Sequence, residues 1–177
     1  MYLKLQKYYD QLGFGNFAGF FFKEALPVIE EYLRTGNMDK GNLRIIDLAC
    51  GTGILCRLFG NRGYSICGLD MSRAMLIQAR RRNPRMRFYK KDLRKFSLKA
   101  KFHVATCSFD SLNHLLTYEE LRAAFKNIDG VLEKTGVFIF DMTGAIYWLI
   151  PNLIILSFVT EIMMRAGGWL RLLLKLS

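Results

Sequence analysis

Apolar positions along this chain fall into short runs separated by stretches with helical spacing. Leu43-Arg44-Ile45-Ile46-Asp47-Leu48 is a β-branched and apolar run that carries a carboxylate. It passes into the small-residue turn Ala49-Cys50-Gly51-Thr52-Gly53, and Ile54 opens a helix. Ile66–Asp70, Met86–Lys90, Phe102–Cys107 and Val137–Asp141 read as four further buried strands. Between them lie a helix over Arg73–Arg82 and one after Thr117. Thr117-Tyr118-Glu119-Glu120 forms a capping box, in which hydroxyl and carboxylate satisfy orphan N–H groups. The helix that follows carries Leu121, Ala124, Phe125, Ile128, Val131 and Leu132 on one face, with Lys134-Thr135-Gly136 ending it. Helices alternating with short apolar strands predict an α/β fold, a parallel sheet with helices on both faces.

The N-terminal 40 residues read as a helical cap segment. Tyr2–Leu12 is a short helix and Gly13-Phe14-Gly15-Asn16 a loop. Phe17–Arg34 is helical, with Pro27 kinking it or starting a second helix, and Thr35-Gly36-Asn37 ends it. Its aromatics, among them Tyr8, Tyr9, Phe14, Phe17, Phe20, Phe21 and Phe22, favour packing on the sheet. The other reading is a lid hinged at Gly13 and Gly15.

Strand-end acids narrow the chemistry. Asp70 lies 23 residues past Asp47, about the distance at which an acid on the second strand meets a ribose. Asp92 follows the third strand. Each acid has a structural alternative: Asp47 as a helix-dipole partner, Asp70 as a cap of the Arg73–Arg82 helix, Asp92 as a turn residue. Three acids in order at one sheet edge outweigh those alternatives. The glycine pattern is Ala49-x-Gly51-x-Gly53, and the last position of a dinucleotide fingerprint falls on Ile54. An anionic Asp47 beside the turn also repels a pyrophosphate and attracts a cationic ligand.

Residues 43 to about 143 resemble a class I S-adenosylmethionine-dependent methyltransferase of the small bacterial and archaeal type. Phe102–Leu116 resembles the fourth-strand motif of that family, and Tyr8-Tyr9-Asp10 the segment lying over the cofactor. The resemblance implies a Rossmann-like domain over 41–143, S-adenosylmethionine as cofactor, and methyl transfer to a small molecule. It implies that Asp47 orients the methionine ammonium, that Ala49 and Gly51 lie against the methionine part and ribose, and that Gly53 also belongs to the cofactor-binding turn. Asp70 would bind the ribose hydroxyls and Met71 the adenine face. Asp92 would accept from the adenine amine, and Leu93 would donate its N–H. Cys107 or Ser108 would offer a carbonyl, and Tyr9 would cover the cofactor. Asp110, Asn113 and His114, after the fourth strand, are the candidate catalytic residues. A strong base is needed only if the nucleophile arrives protonated.

Composition adds bounds. A chain of 177 residues can bury one core but not two ordinary ones. Cys50, Cys56, Cys67 and Cys107 show no CxxC pair and no zinc spacing with His103 or His114, which reads as reduced core thiols in a cytoplasmic protein. Met1–Gln11 lacks a secretory apolar segment. From Arg80 to Lys101 there are eleven basic residues against one acid, carrying most of the formal net charge of +11. That segment is either a solvated face or the footprint of an RNA-methylating enzyme.

The tail, residues 144–177, departs from the family, whose C-terminal strands are expected to be missing. Ile146–Met164 is strongly apolar but interrupted by Pro151, Asn152 and Glu161. Packing across the sheet edge, membrane association with Leu170–Leu176 as an interfacial helix, and a cofactor-binding remnant without turnover are its three readings. An uncovered edge would also invite self-association.

Overall fold

The computed structural model describes residues 14–142 and 170–175. They fall into two compact units divided between Lys91 and Asp92. The expected helix at Tyr2–Leu12, Tyr9 and the apolar run Ile146–Met164 lie outside the described residues.

The first unit holds α1 (Phe14–Thr35), β1 (Arg44–Leu48), α2 (Ile54–Gly60), β2 (Ser65–Asp70), α3 (Arg73–Arg82) and β3 (Phe88–Lys90). β1 and β2 are parallel, with Ile46 opposite Cys67 and Leu48 opposite Leu69; β2 and β3 are parallel, with Asp70 opposite Lys90. Ile45, Ile46, Leu48 and Leu69 are fully buried. Such near-continuous apolar strands belong to a sheet covered on both faces. Helix α1 starts at Phe14, so the loop expected over 13–16 is corrected: Gly15 is already helical. Pro27 lies inside this continuous helix. Phe22 meets Phe59 of α2 edge-on, with ring centroids 4.8 Å apart, so part of the aromatic face is packing rather than lid.

The second unit holds a 3-10 turn (Leu93–Lys95), β4 (Phe102–Cys107), a second 3-10 turn (Ser111–His114), α4 (Tyr118–Asp129), β5 (Leu132–Met142) and β6 (Leu170–Lys175). β4 and β5 are parallel, but the register jumps between Phe102, opposite Leu132, and Val104, opposite Val137. Residues 133–136 bulge out of the ladder. Helix α4 therefore ends at Asp129 and not at Lys134–Gly136, and Leu132 already belongs to the strand. The capping box forms: the Thr117 hydroxyl accepts from Glu120 N, while the Glu120 carboxylate accepts from Leu116 N at 3.0 Å. β6 pairs antiparallel with β5, Leu172 opposite Phe140 and Arg171 opposite Asp141. The interfacial helix expected over Leu170–Leu176 is thus corrected to an edge strand. The pairing partner, β5, is too distant in sequence for local periodicity to reveal it. Among the described residues no helix is long and apolar enough to cross a membrane. The strand–helix alternation of both units is the Rossmann-like α/β class that the patterning predicts.

Candidate cofactor and acceptor site

The turn after β1 is built from left-handed residues: Ala49 at φ 53°, Gly51 at φ 53° and Gly53 at φ 74°. The two glycines serve different ends. A Cβ on Gly51 would meet nothing within 4 Å, so only the backbone conformation requires glycine there. A Cβ on Gly53 would lie 2.9 Å from Asn83 Nδ2 and 3.1 Å from Ala79 Cβ, so close packing requires it as well. Asn83 Nδ2 donates to Gly53 O at 3.0 Å, and Arg82 Nη1 donates to Thr52 O and Oγ1. The C-terminus of α3 thereby clamps the turn. Sequence patterning placed Arg82 only in the basic segment and foresaw this contact for neither residue, because it spans 30 positions.

Asp70 is the hub of this arrangement. Its Oδ2 accepts from Gly51 N at 2.9 Å and its Oδ1 from Ser72 N at 2.8 Å, so one carboxylate joins the turns after β1 and β2. Ser72, not Asp70, caps α3, accepting from Met75 N. Burial raises the Asp70 pKa, while the backbone N–H bonds from Ser72, Gly51 and Met71 oppose the rise. A carboxylate has about four lone-pair sites, so Asp70 keeps capacity for hydroxyl donors. Met71, directly after it, is an apolar residue left 63% exposed.

Asp47 is buried, 1% exposed, and accepts from the Cys56 thiol at 3.6 Å. The Cys56 thiol is held well above its usual pKa, first by its bond with Cys50 and then by burial; burial pushes Cys67 up to about 12. Such protonated, buried thiols are poor nucleophiles.

In the second unit Asp92 behaves as the turn residue of the structural alternative. It caps the 3-10 turn, accepting from Arg94 N at 2.9 Å. Its Oδ2 also pairs with Arg94 Nη2 at 2.7 Å, and that guanidinium holds its carboxyl below the usual range. Arg94 pairs with Glu120 too. Leu93 is buried, and its carbonyl accepts from Asn127 Nδ2. Of the basic segment, Arg80 donates to Phe88 O, Arg82 to Thr52, Arg94 to two acids and Lys101 to Gly130 O. A share of that charge therefore has structural work inside the chain.

Past β4 the chain turns sharply. Cys107 is fully buried, and Ser108 O accepts from Ser111 Oγ at 2.7 Å. Phe109 and Asp110 are both left-handed, at φ 63° and 52°. Asn113 N donates to Asp110 O, and Asn113 Nδ2 lies 3.5 Å from Asp110 Oδ1. His114 is exposed at the end of the 3-10 turn. Beneath this loop lies Asp141, 2% exposed, a residue the sequence reading used only to end a strand. Its signal was available: like Asp47 and Asp70, it is an acid near the C-terminal end of a buried strand.

The methyltransferase domain family matches residues 45–136, and the chain belongs to it. The chain is 34% identical over 124 residues to dTDP-3-amino-3,6-dideoxy-alpha-D-glucopyranose N,N-dimethyltransferase of Streptomyces fradiae, covering 70% of this chain and 47% of that enzyme. It resembles the S-adenosylmethionine-bound structure of CalS10, an amino pentose methyltransferase from Micromonospora echinaspora, with a TM-score of 0.62 and 32% identity. That match covers 70% of this chain and 51% of CalS10. It also resembles DesVI of Streptomyces venezuelae, with a TM-score of 0.63, 28% identity, and coverage of 76% and 55%. The chain spans about half the length of the curated relatives it matches.

Proposed function

We propose that this chain is an S-adenosylmethionine-dependent methyltransferase whose acceptor is the amine of a small molecule, a nucleotide-linked amino deoxysugar being the first to test. The observation that carries the reading is Asp70. A buried carboxylate with acceptor capacity left over is bonded to a left-handed glycine turn, beside an exposed methionine. That combination suits an adenosyl group: ribose hydroxyls on the acid, adenine on Met71, and a backbone at Gly51 open to close approach. Asp47 contributes a negative field toward the cationic methionine end. An adenine contact through Asp92 and Leu93 requires that carboxylate to be shared with Arg94. Relatives named for sugar N-methylation support an amine acceptor.

When bound, the cofactor supplies a methyl group on a sulfonium, and the protein's task is to hold an amine in line with it and exclude water. An amine that arrives as its ammonium must shed a proton to expose the lone pair. Asp110 and His114, on the loop after β4, are the groups we assign to that proton.

Calorimetric titration with S-adenosylmethionine and S-adenosylhomocysteine tests the cofactor assignment. Both should bind, and Asp70→Ala should weaken binding by about 1.5–3 kcal/mol, the range for a hydrogen bond to a charged group. Undiminished binding in that variant would remove Asp70 from the site. Mass spectrometry of dTDP-linked amino sugars after incubation then tests the acceptor, expecting addition of one and two methyl groups.

A further inference from the structure

Phe109, just after β4, adopts a conformation that its own side chain disfavours. Phe109, bulky and aromatic, sits at φ 63°, and Asp110 follows at φ 52°. Two successive non-glycine residues in the left-handed region store strain, and such strain persists only where the surroundings enforce it. Asp141 enforces it here. Its Oδ2 accepts from Phe109 N at 3.1 Å and its Oδ1 from Asp110 N at 3.3 Å. Successive N–H groups in a turn form an anion-binding concavity, and here the anion is a side chain of the neighbouring strand.

We propose that Asp141 is a positioning residue: its carboxylate holds the Ser108–His114 loop in the shape that presents Asp110, Asn113 and His114 to the methyl acceptor. The presentation of those three rests on the methyltransferase reading; the anchoring of the loop does not. Leu112, fully buried in the 3-10 turn, also seats the loop. Ser111 Oγ to Ser108 O and Asn113 N to Asp110 O are bonds inside the loop, which shape it but do not tie it to the sheet.

The grip depends on ionisation. Burial, and then the charge of Asp110, push Asp141 up to about 6, against the N–H bonds from Asp110 and Phe109 that pull it down. Charged and titratable groups on the adjoining segments are Asp110 in the loop, His114 at the end of the 3-10 turn, Cys107 at the end of β4, and Arg171 at the opposite register position on β6. Protonation turns two charge-assisted bonds into weaker neutral ones, so the loop loosens as pH falls through this range.

Two measurements on the full chain decide the matter. In nitrogen-edited NMR of the unaltered protein, the Phe109 and Asp110 amide resonances should titrate together with a midpoint near 6. Resonances that stay still between pH 5 and 8 would overturn the proposal. In the second, Asp141→Asn should lower kcat more than tenfold, with Kd for S-adenosylhomocysteine within twofold. An unchanged kcat, or loss of cofactor binding together with activity, would overturn it. If the variant does not fold, or if no acceptor is turned over, the NMR titration still decides whether Asp141 holds the loop. Absence of S-adenosylhomocysteine binding in the unaltered protein would sink the methyltransferase reading separately.

Discussion

Asp141 illustrates how a single side chain can oppose the stability of the molecule that keeps it. Its folded-state pKa of about 6 stands above its ordinary 3.8, so the native state binds its proton more tightly than the unfolded chain does. The stability this group contributes is fully present below about pH 3.8 and lost as pH rises through about 6. A shift of this size corresponds to about 3 kcal/mol. Asp141→Asn should therefore be more stable, relative to the parent, at pH 8 than at pH 4.5, by about 2 kcal/mol. Urea denaturation at both pH values measures this. Asp70 is less costly, because the bonds from Ser72, Gly51 and Met71 offset its burial. Both acids close strands in the sequence, and periodicity marks that position. Periodicity does not say which backbone N–H groups an acid will meet.

The turn between β1 and α2 shows how an element divides its demands between two glycines. Both are left-handed, but Gly51 has open space where a side chain would go, and Gly53 faces Asn83, Ala79 and Phe88. Gly51→Ala should cost roughly 1–2 kcal/mol, the strain of the left-handed region alone. Gly53→Ala should cost more, because the methyl must also displace the Asn83 amide from its bond to the Gly53 carbonyl. Comparison of the two urea midpoints checks the order. Reading the glycines from sequence yields the turn, since small residues at the end of an apolar run signal it directly. The clamp by Arg82 and Asn83 is invisible there, because the interaction comes from packing the end of α3 against a turn 30 residues earlier.

For the molecule as a whole, the strand at Leu170–Lys175 covers one edge of β5. It occupies the side of β5 opposite β4, from Val137 to Met142. A chain ending at Met142 leaves those N–H and C=O groups unpaired along an apolar strand, a template for pairing with another copy. Such a truncated chain should self-associate more strongly than the full chain, as light scattering coupled to size exclusion would show. An interfacial helix over the same residues would give the opposite result, since its removal would take away an adhesive surface.

What the sequence determined by itself is the succession of elements and the acids near their ends. Both follow from local physics: the period of burial, the cap at Thr117, and the conformational freedom of the glycine turn. Tertiary structure alone decided three things. It chose the partners of Asp70 and Asp141, it turned Asp92 toward Arg94, and it made an apolar terminal run into an edge strand. Each depends on a partner distant along the chain or on competition between nearby groups for one carboxylate. Only the folded backbone fixes which contact wins.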